Sequence, residues 1–172
     1  DFRREQTPQY VIGEWSRYNA SGPYQVLYSY TAQIRPARYE LDPGLRIPDH
    51  YPKGFNQYLT ATEVIQLEHP LIRELSTRVR DPEHRVRATL RSIYEYVSSL
   101  GSQPFKGTTD AVTAAKLGEA SCNGKSRLFI ALARVNGIPA RLVGGLILTP
   151  GSKRTSHQWL EAYVAGHWVP FD

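Results

Sequence analysis

The residue that most invites a chemical reading is the single cysteine. Cys122 stands where a loop gives way to a helical pattern, with Ser121 before it and Asn123, Gly124, Lys125 and Ser126 after it. A thiol at a helix start meets the positive end of the helix dipole and backbone N–H groups that lack intrahelical acceptors, and both favour the thiolate. Lys125 adds to that field if it lies close. A free cysteine is commonly a small buried hydrophobe, but these polar neighbours are not a core environment. The same N–H groups could receive the oxyanion of a tetrahedral intermediate.

Two further residues complete a pattern. Ser156 to Val164 and His167 to Asp172 read as strands joined by Ala165-Gly166. A two-residue turn sets Val164 opposite His167 and Trp159 opposite Asp172. Opposed residues share a sheet face, as do residues two apart, so His157 and Asp172 become diagonal neighbours on one face. A three-residue turn would send Asp172 to the other face. Taken singly, His157 is a surface-strand histidine and Asp172 a strand-end acid. Together with a thiolate at a helix start they form the nucleophile, base and orienter of covalent acyl transfer. Trp159 shares the face of His157 and could shield it, although a strand tryptophan is more often core packing. Gln103, upstream of the cysteine, is a possible second oxyanion donor. His50, His69, His84 and His167 read as surface residues.

These side chains need a scaffold. Tyr24 to Ile34 reads as a strand in a first stretch rich in Tyr, Pro, Gly and Asn, and Pro36, Pro43, Pro48 and Pro52 then break the chain. Phe55 to Leu67 is ambiguous, with an extended run one option. Leu71, Ile72, Leu75 and Val79 follow helical spacing. Asp81-Pro82 reads as the N-cap and first turn of a second helix carrying Val86, Leu90, Ile93 and Val97 on one face, with Arg85, Arg87 and Arg91 on a solvated one. Gly101 to Ser121 reads as loop with one short helical turn at Ala111 to Leu117. A third long helix is expected from Cys122 to Val135, stopped by Asn136-Gly137-Ile138-Pro139. Ala140 to Leu148 is a buried strand by composition. Helices followed by an antiparallel sheet make an α+β fold, with residues 1–60 as a β- and loop-rich region packed on a core of residues 61–172.

Composition bounds the rest. The 172 residues suffice for one domain with a proper core. One cysteine excludes an internal disulfide framework and any Cys-rich zinc site, and the five histidines form no HExxH pair. No apolar run is long enough to cross a membrane. Lys and Arg number 21 against 16 Asp and Glu, giving +5 and a pI near 9.4. That excess is dispersed, without the basic-aromatic alternation of a single-strand groove, so nucleic acid is not an expected partner. Binding to an anionic polymer rests on the net charge alone. Gly124-Lys125-Ser126 looks like the end of a phosphate loop, but the required first glycine falls at Glu119, with Gly118 one place too early. The absence of methionine and an ending in mid-strand read as a segment of a longer chain.

The segment Gly118-Glu119-Ala120-Ser121-Cys122-Asn123-Gly124-Lys125-Ser126, then Gly137-Ile138-Pro139-Ala140-Arg141 and Val143-Gly144-Gly145, resembles the core of the transglutaminase-like superfamily. So does Ser156-His157-Gln158-Trp159-Leu160-Glu161-Ala162-Tyr163-Val164 with His167-Trp168-Val169-Pro170-Phe171-Asp172. The resemblance covers roughly Glu68 to Asp172 and fits a bacterial-type member. It implies a papain-related α+β fold in which Cys122 is nucleophile, His157 general base and acid, and Asp172 the orienter. It implies no cofactor and no metal, a peptide or protein amide as substrate, and a thioester passed to an amine or to water. Asn123-Gly124-Lys125 departs from the Arg-Asp that follows the cysteine in many microbial members, leaving the subfamily open. Some bacterial relatives carry such a domain outside the cytoplasm beside a membrane region, which favours a periplasmic or extracytoplasmic location here. Some of those are inactive, so an idle domain that binds a peptide or protein is the alternative.

Overall fold

The computed structural model describes residues 1–6, 11–19, 21–23, 25, 38–103, 109–147 and 155–172. The chain divides into two units, Asp1–Ala37 and Arg38–Asp172. In the first unit, β1 (Phe2–Gln6) and β2 (Val11–Trp15) form an antiparallel hairpin with Phe2 opposite Trp15, their rings 5.0 Å apart. The strand expected over Tyr24 to Ile34 lies, apart from Gln25, outside the described residues. Residues 38–60, which the sequence reading groups with the N-terminal region, fall in the second unit, where Leu41, Leu45 and Ile47 pack on the core. The ambiguous stretch after them contains a 3₁₀ turn, Phe55–Tyr58, and an isolated bridge between Thr62 and Ile65.

Helix α1 (Pro70–Val79) buries Ile72, Leu75, Ser76 and Val79. Its start corrects the reading of His69 as a surface residue: the half-buried His69 is the N-cap, and its Nδ1 accepts from the Leu71 N–H at 3.2 Å. The second helix also starts later than expected. Helix α2 is Val86–Ser99, with Arg85 as N-cap. The Asp81 carboxylate is consumed upstream, accepting from the N–H groups of Glu83 and Arg85 at 3.2 and 3.0 Å and from the Arg85 guanidinium at 3.0 and 2.9 Å. His84 takes a left-handed φ of 56°, which interrupts any helical path from Pro82. Leu45 then accepts from the Val86 N–H at 2.9 Å. The buried face of α2 is Val86, Leu90, Ile93 and Val97, as the spacing predicts.

After α2, β3 (Gly101–Ser102) pairs in parallel with β4 (Glu119–Ala120), a short ladder hidden in what reads as loop. Between them lies α3 (Ala111–Leu117), capped by Asp110 through the Thr113 N–H and ended by Gly118 at φ 66°. Helix α4 (Cys122–Val135) follows at once and is buried on every side from Leu128 to Arg134. Such all-round burial requires neighbours all round, and α1, α2, α3, β5 (Ala140–Ile147) and β6 (Thr155–Val164) supply them. The antiparallel sheet has the order β5-β6-β7, with β7 spanning His167–Phe171. Ala165 and Gly166 have φ of 49° and 88°, the paired positive values of a tight hairpin turn, and Val164 stands opposite His167. The cysteine-bearing helix thus packs on a sheet that carries His157 and leads into Asp172.

Candidate active site

Cys122 is the first residue of α4 and is exposed. The Ser121 side chain caps no N–H of the first turn, so those amides are not taken by the N-cap hydroxyl. They are the donors that a developing oxyanion would need. The thiol lies 3.5 Å from Asn123 Oδ1. The Lys125 ammonium is committed elsewhere: it donates to the Leu100 carbonyl at 2.7 Å and to Ser102 Oγ at 3.1 Å. Lys125 therefore ties the start of α4 to the end of α2 and to β3.

The diagonal relation read from the hairpin is present. His157 Nε2 lies 2.8 Å from each oxygen of Asp172. A carboxylate in its ionised form can only accept, and against that form Nε2 is the donor. That leaves Nδ1 as the ring nitrogen able to exchange a proton with a thiol or a leaving group. The Asp172 side chain is 65% exposed and that of His157 24%. Water screens the pair, so its value lies in fixing a tautomer and a ring plane more than in stabilising the fold.

Two clefts meet at the thiol. One, of about 340 Å³, is lined by Cys122, Asn123, His157 and Gln158. The other, of about 660 Å³, is mostly apolar and is lined by Tyr94, Val97, Phe129, Leu160 and Phe171 together with Gln103, Cys122 and Asp172. Cys122 and His157 are thus brought to one cleft, and Cys122, Gln103 and Asp172 to the other. Gln103 is exposed, and its backbone N–H donates to the Ala120 carbonyl at 3.2 Å. His50, His84 and His167 are exposed. No group of three His, Cys, Asp or Glu side chains that could hold a metal ion occurs among the described residues.

Two features of the site go beyond the sequence reading, which offers Trp159 only as a shield for His157 or as core packing. The rings of Trp159 and His157 stack, with centroids 6.1 Å apart and planes at 27°. Gly145 stands opposite His157 in the sheet and lies under the Trp159 ring. The signal that was available is the glycine itself, a residue that marks close approach in a strand.

The sequence profile of the transglutaminase-like superfamily matches residues 70–172. This chain belongs to that superfamily. Solved structures share the fold. A proposed cysteine protease from Cytophaga hutchinsonii superposes with a TM-score of 0.62 at 21% identity, over 71% of this chain and 42% of that one. The periplasmic domain of TgpA from Pseudomonas aeruginosa gives a TM-score of 0.55 both bound to ethylmercury and without it. The ethylmercury form is 18% identical and matches 72% of this chain and 49% of its own; the other is 19% identical and matches 72% and 48%. The chain spans less than half the length of each of these proteins. No curated protein matches it. No helix among the described residues is long and apolar enough to cross a membrane.

Proposed function

We propose that this transglutaminase-like domain is a cysteine acyltransferase or hydrolase acting on a peptide or protein amide. The observation that carries the reading is the His157 imidazole held by both oxygens of Asp172 beside the cleft that exposes Cys122. In the first half-reaction, the Cys122 thiol gives its proton to His157 Nδ1 and the sulfur attacks the amide carbon. The oxyanion is received at the start of α4. The C–N bond breaks as the imidazolium returns its proton to the departing amine or ammonia, leaving a thioester on Cys122. In the second, His157 takes a proton from an amine or a water, which attacks the thioester carbon and releases the thiolate. Asp172 stays ionised and keeps the imidazole in the tautomer that leaves Nδ1 free. An amine acceptor gives a new amide and water gives a carboxylic acid. Membership of the superfamily and the fold shared with a proposed cysteine protease support the reading, and the likeness to a periplasmic domain supports a role outside the cytoplasm.

The test is a screen of glutaminyl and other amide donors, each with and without a fluorescent primary amine. Amine incorporation or hydrolysis that disappears in Cys122→Ala supports the proposal. A signal equal in wild type and Cys122→Ala would overturn it.

A further inference from the structure

Trp159 faces away from the core. On β6 the buried residues are Leu160, Ala162 and Val164, whereas Trp159 is only half-buried and shares the opposite face with His157. Packing of the core therefore does not account for its place. The β5–β6 register sets Gly145 opposite His157 and Val143 opposite Trp159, so Gly145 is the diagonal neighbour that a long ring can reach. A Cβ added to Gly145 would lie 2.7 Å from both Cη2 and Cζ3 of Trp159, closer than carbon atoms approach. The indole thus lies across bare backbone, and any side chain at position 145 would lift it.

Seated there, the indole stacks against His157 at 6.1 Å between centroids, within the range of offset aromatic pairs. The other restraint on the ring is the bond to Asp172, whose side chain is largely open to water. One exposed hydrogen bond leaves an imidazole free to turn, and a flat neighbour on its face removes that freedom. We infer that Trp159, seated on Gly145, is a positioning residue that holds His157 in the orientation keeping Nε2 on Asp172 and Nδ1 free for the thiol. Trp159 lines neither cleft at the thiol and acts through His157. The inference rests on the proposed role of His157 as base.

The experiment needs no knowledge of the substrate. The chain has one cysteine, so iodoacetamide alkylation reports on Cys122 alone. Alkylation rates are compared in wild type, Gly145→Ala, Trp159→Ala, Trp159→Phe, the double variant Gly145→Ala with Trp159→Ala, and His157→Ala as the reference for loss of the base. Folding of each is checked by circular dichroism, and Trp159→Ala keeps the test open if Gly145→Ala fails to fold. We expect Gly145→Ala and Trp159→Ala each to slow alkylation on the order of three- to tenfold, Trp159→Phe to regain most of the rate, and the double variant to be no slower than Trp159→Ala. Imidazole ¹H–¹⁵N spectra should show the Nε2-protonated tautomer in wild type and a mixture in Gly145→Ala. Wild-type rates and an unchanged tautomer in both single variants, with His157→Ala slowed, would overturn the inference and leave the proposed function standing. A wild-type rate in His157→Ala would overturn both.

Discussion

Gly124→Ala sets two physical effects against each other two residues from the thiol. Helix propensity alone favours alanine over glycine in a helix by about 1 kcal/mol. Packing opposes it. A Cβ at Gly124 would stand 2.7 Å from the Ala120 Cβ and 3.1 and 3.2 Å from the Thr109 Cβ and Cγ2. Neither neighbour can swing aside, because both carry their Cβ on backbone that is buried: Ala120 is 1% and Thr109 6% exposed. Ala120 is also paired with Ser102, and the Thr109 carbonyl accepts from Arg127 at 3.0 Å. Relief requires α4 to move off β4, an overpacking penalty of about 1–3 kcal/mol. The balance is a net loss of about 1 kcal/mol, which at this chain length lowers Tm by about 2–4 °C. Thermal denaturation followed by circular dichroism measures it. A Tm unchanged or raised would show that propensity outweighs packing and that α4 does not need its close seat on β4.

Other expectations follow from the same contacts. Hydrogen bonds from Arg85 hold the Asp81 carboxyl down at about 2, so the folded state favours its ionised form. That contribution is full above the unfolded value near 4 and is lost as pH falls towards 2. The urea-midpoint gap between wild type and Asp81→Asn should therefore close over that window, and a gap independent of pH would refute the assignment. Buried Arg134 donates to the Ala140 carbonyl at 3.1 and 2.8 Å and to the Thr60 carbonyl at 2.5 Å. Arg134→Ala should cost about 2–3 kcal/mol by urea unfolding, and Arg134→Lys should recover only part of it, because an ammonium lacks the planar fork. Ala165 holds a φ of 49° in the hairpin turn. Ala165→Gly should raise stability by about 0.5–1 kcal/mol, and a lower urea midpoint would count against strain there.

Much of the site was legible because it depends on short-range rules. Turn length alone predicts the His157–Asp172 diagonal, since strand periodicity carries the register from Val164 to the end of β7. The bounds of α4 follow from the polar residues at its start and the Asn136-Gly137 stop. What stayed hidden is competition between partners and approach in space. Asp81 has the composition of an N-cap, but the guanidinium of Arg85 and two N–H groups claim its carboxylate first. Pro70 marks the first turn of α1, but histidine is not among the preferred cap residues, so the cap role of His69 goes unread. Gly145 hints at a close approach within its strand, but neither it nor Gly124 names the neighbour, which is the Trp159 ring for one and Ala120 and Thr109 for the other. The β3–β4 pair is too short for periodicity to reveal. The meeting of Cys122 and His157 at one cleft depends on how α4 packs on β5 and β6, which the spacing of residues along the chain does not encode.

The central claim is that His157 activates Cys122 for acyl transfer, and an activated aryl ester tests it without a natural substrate. Acylation of the single thiol is followed by intact-mass spectrometry at mildly acidic pH in wild type, Cys122→Ala and His157→Ala. A thioester should form on wild type and not on Cys122→Ala, and its formation should slow on the order of a hundredfold in His157→Ala. Equal rates in wild type and His157→Ala would contradict it.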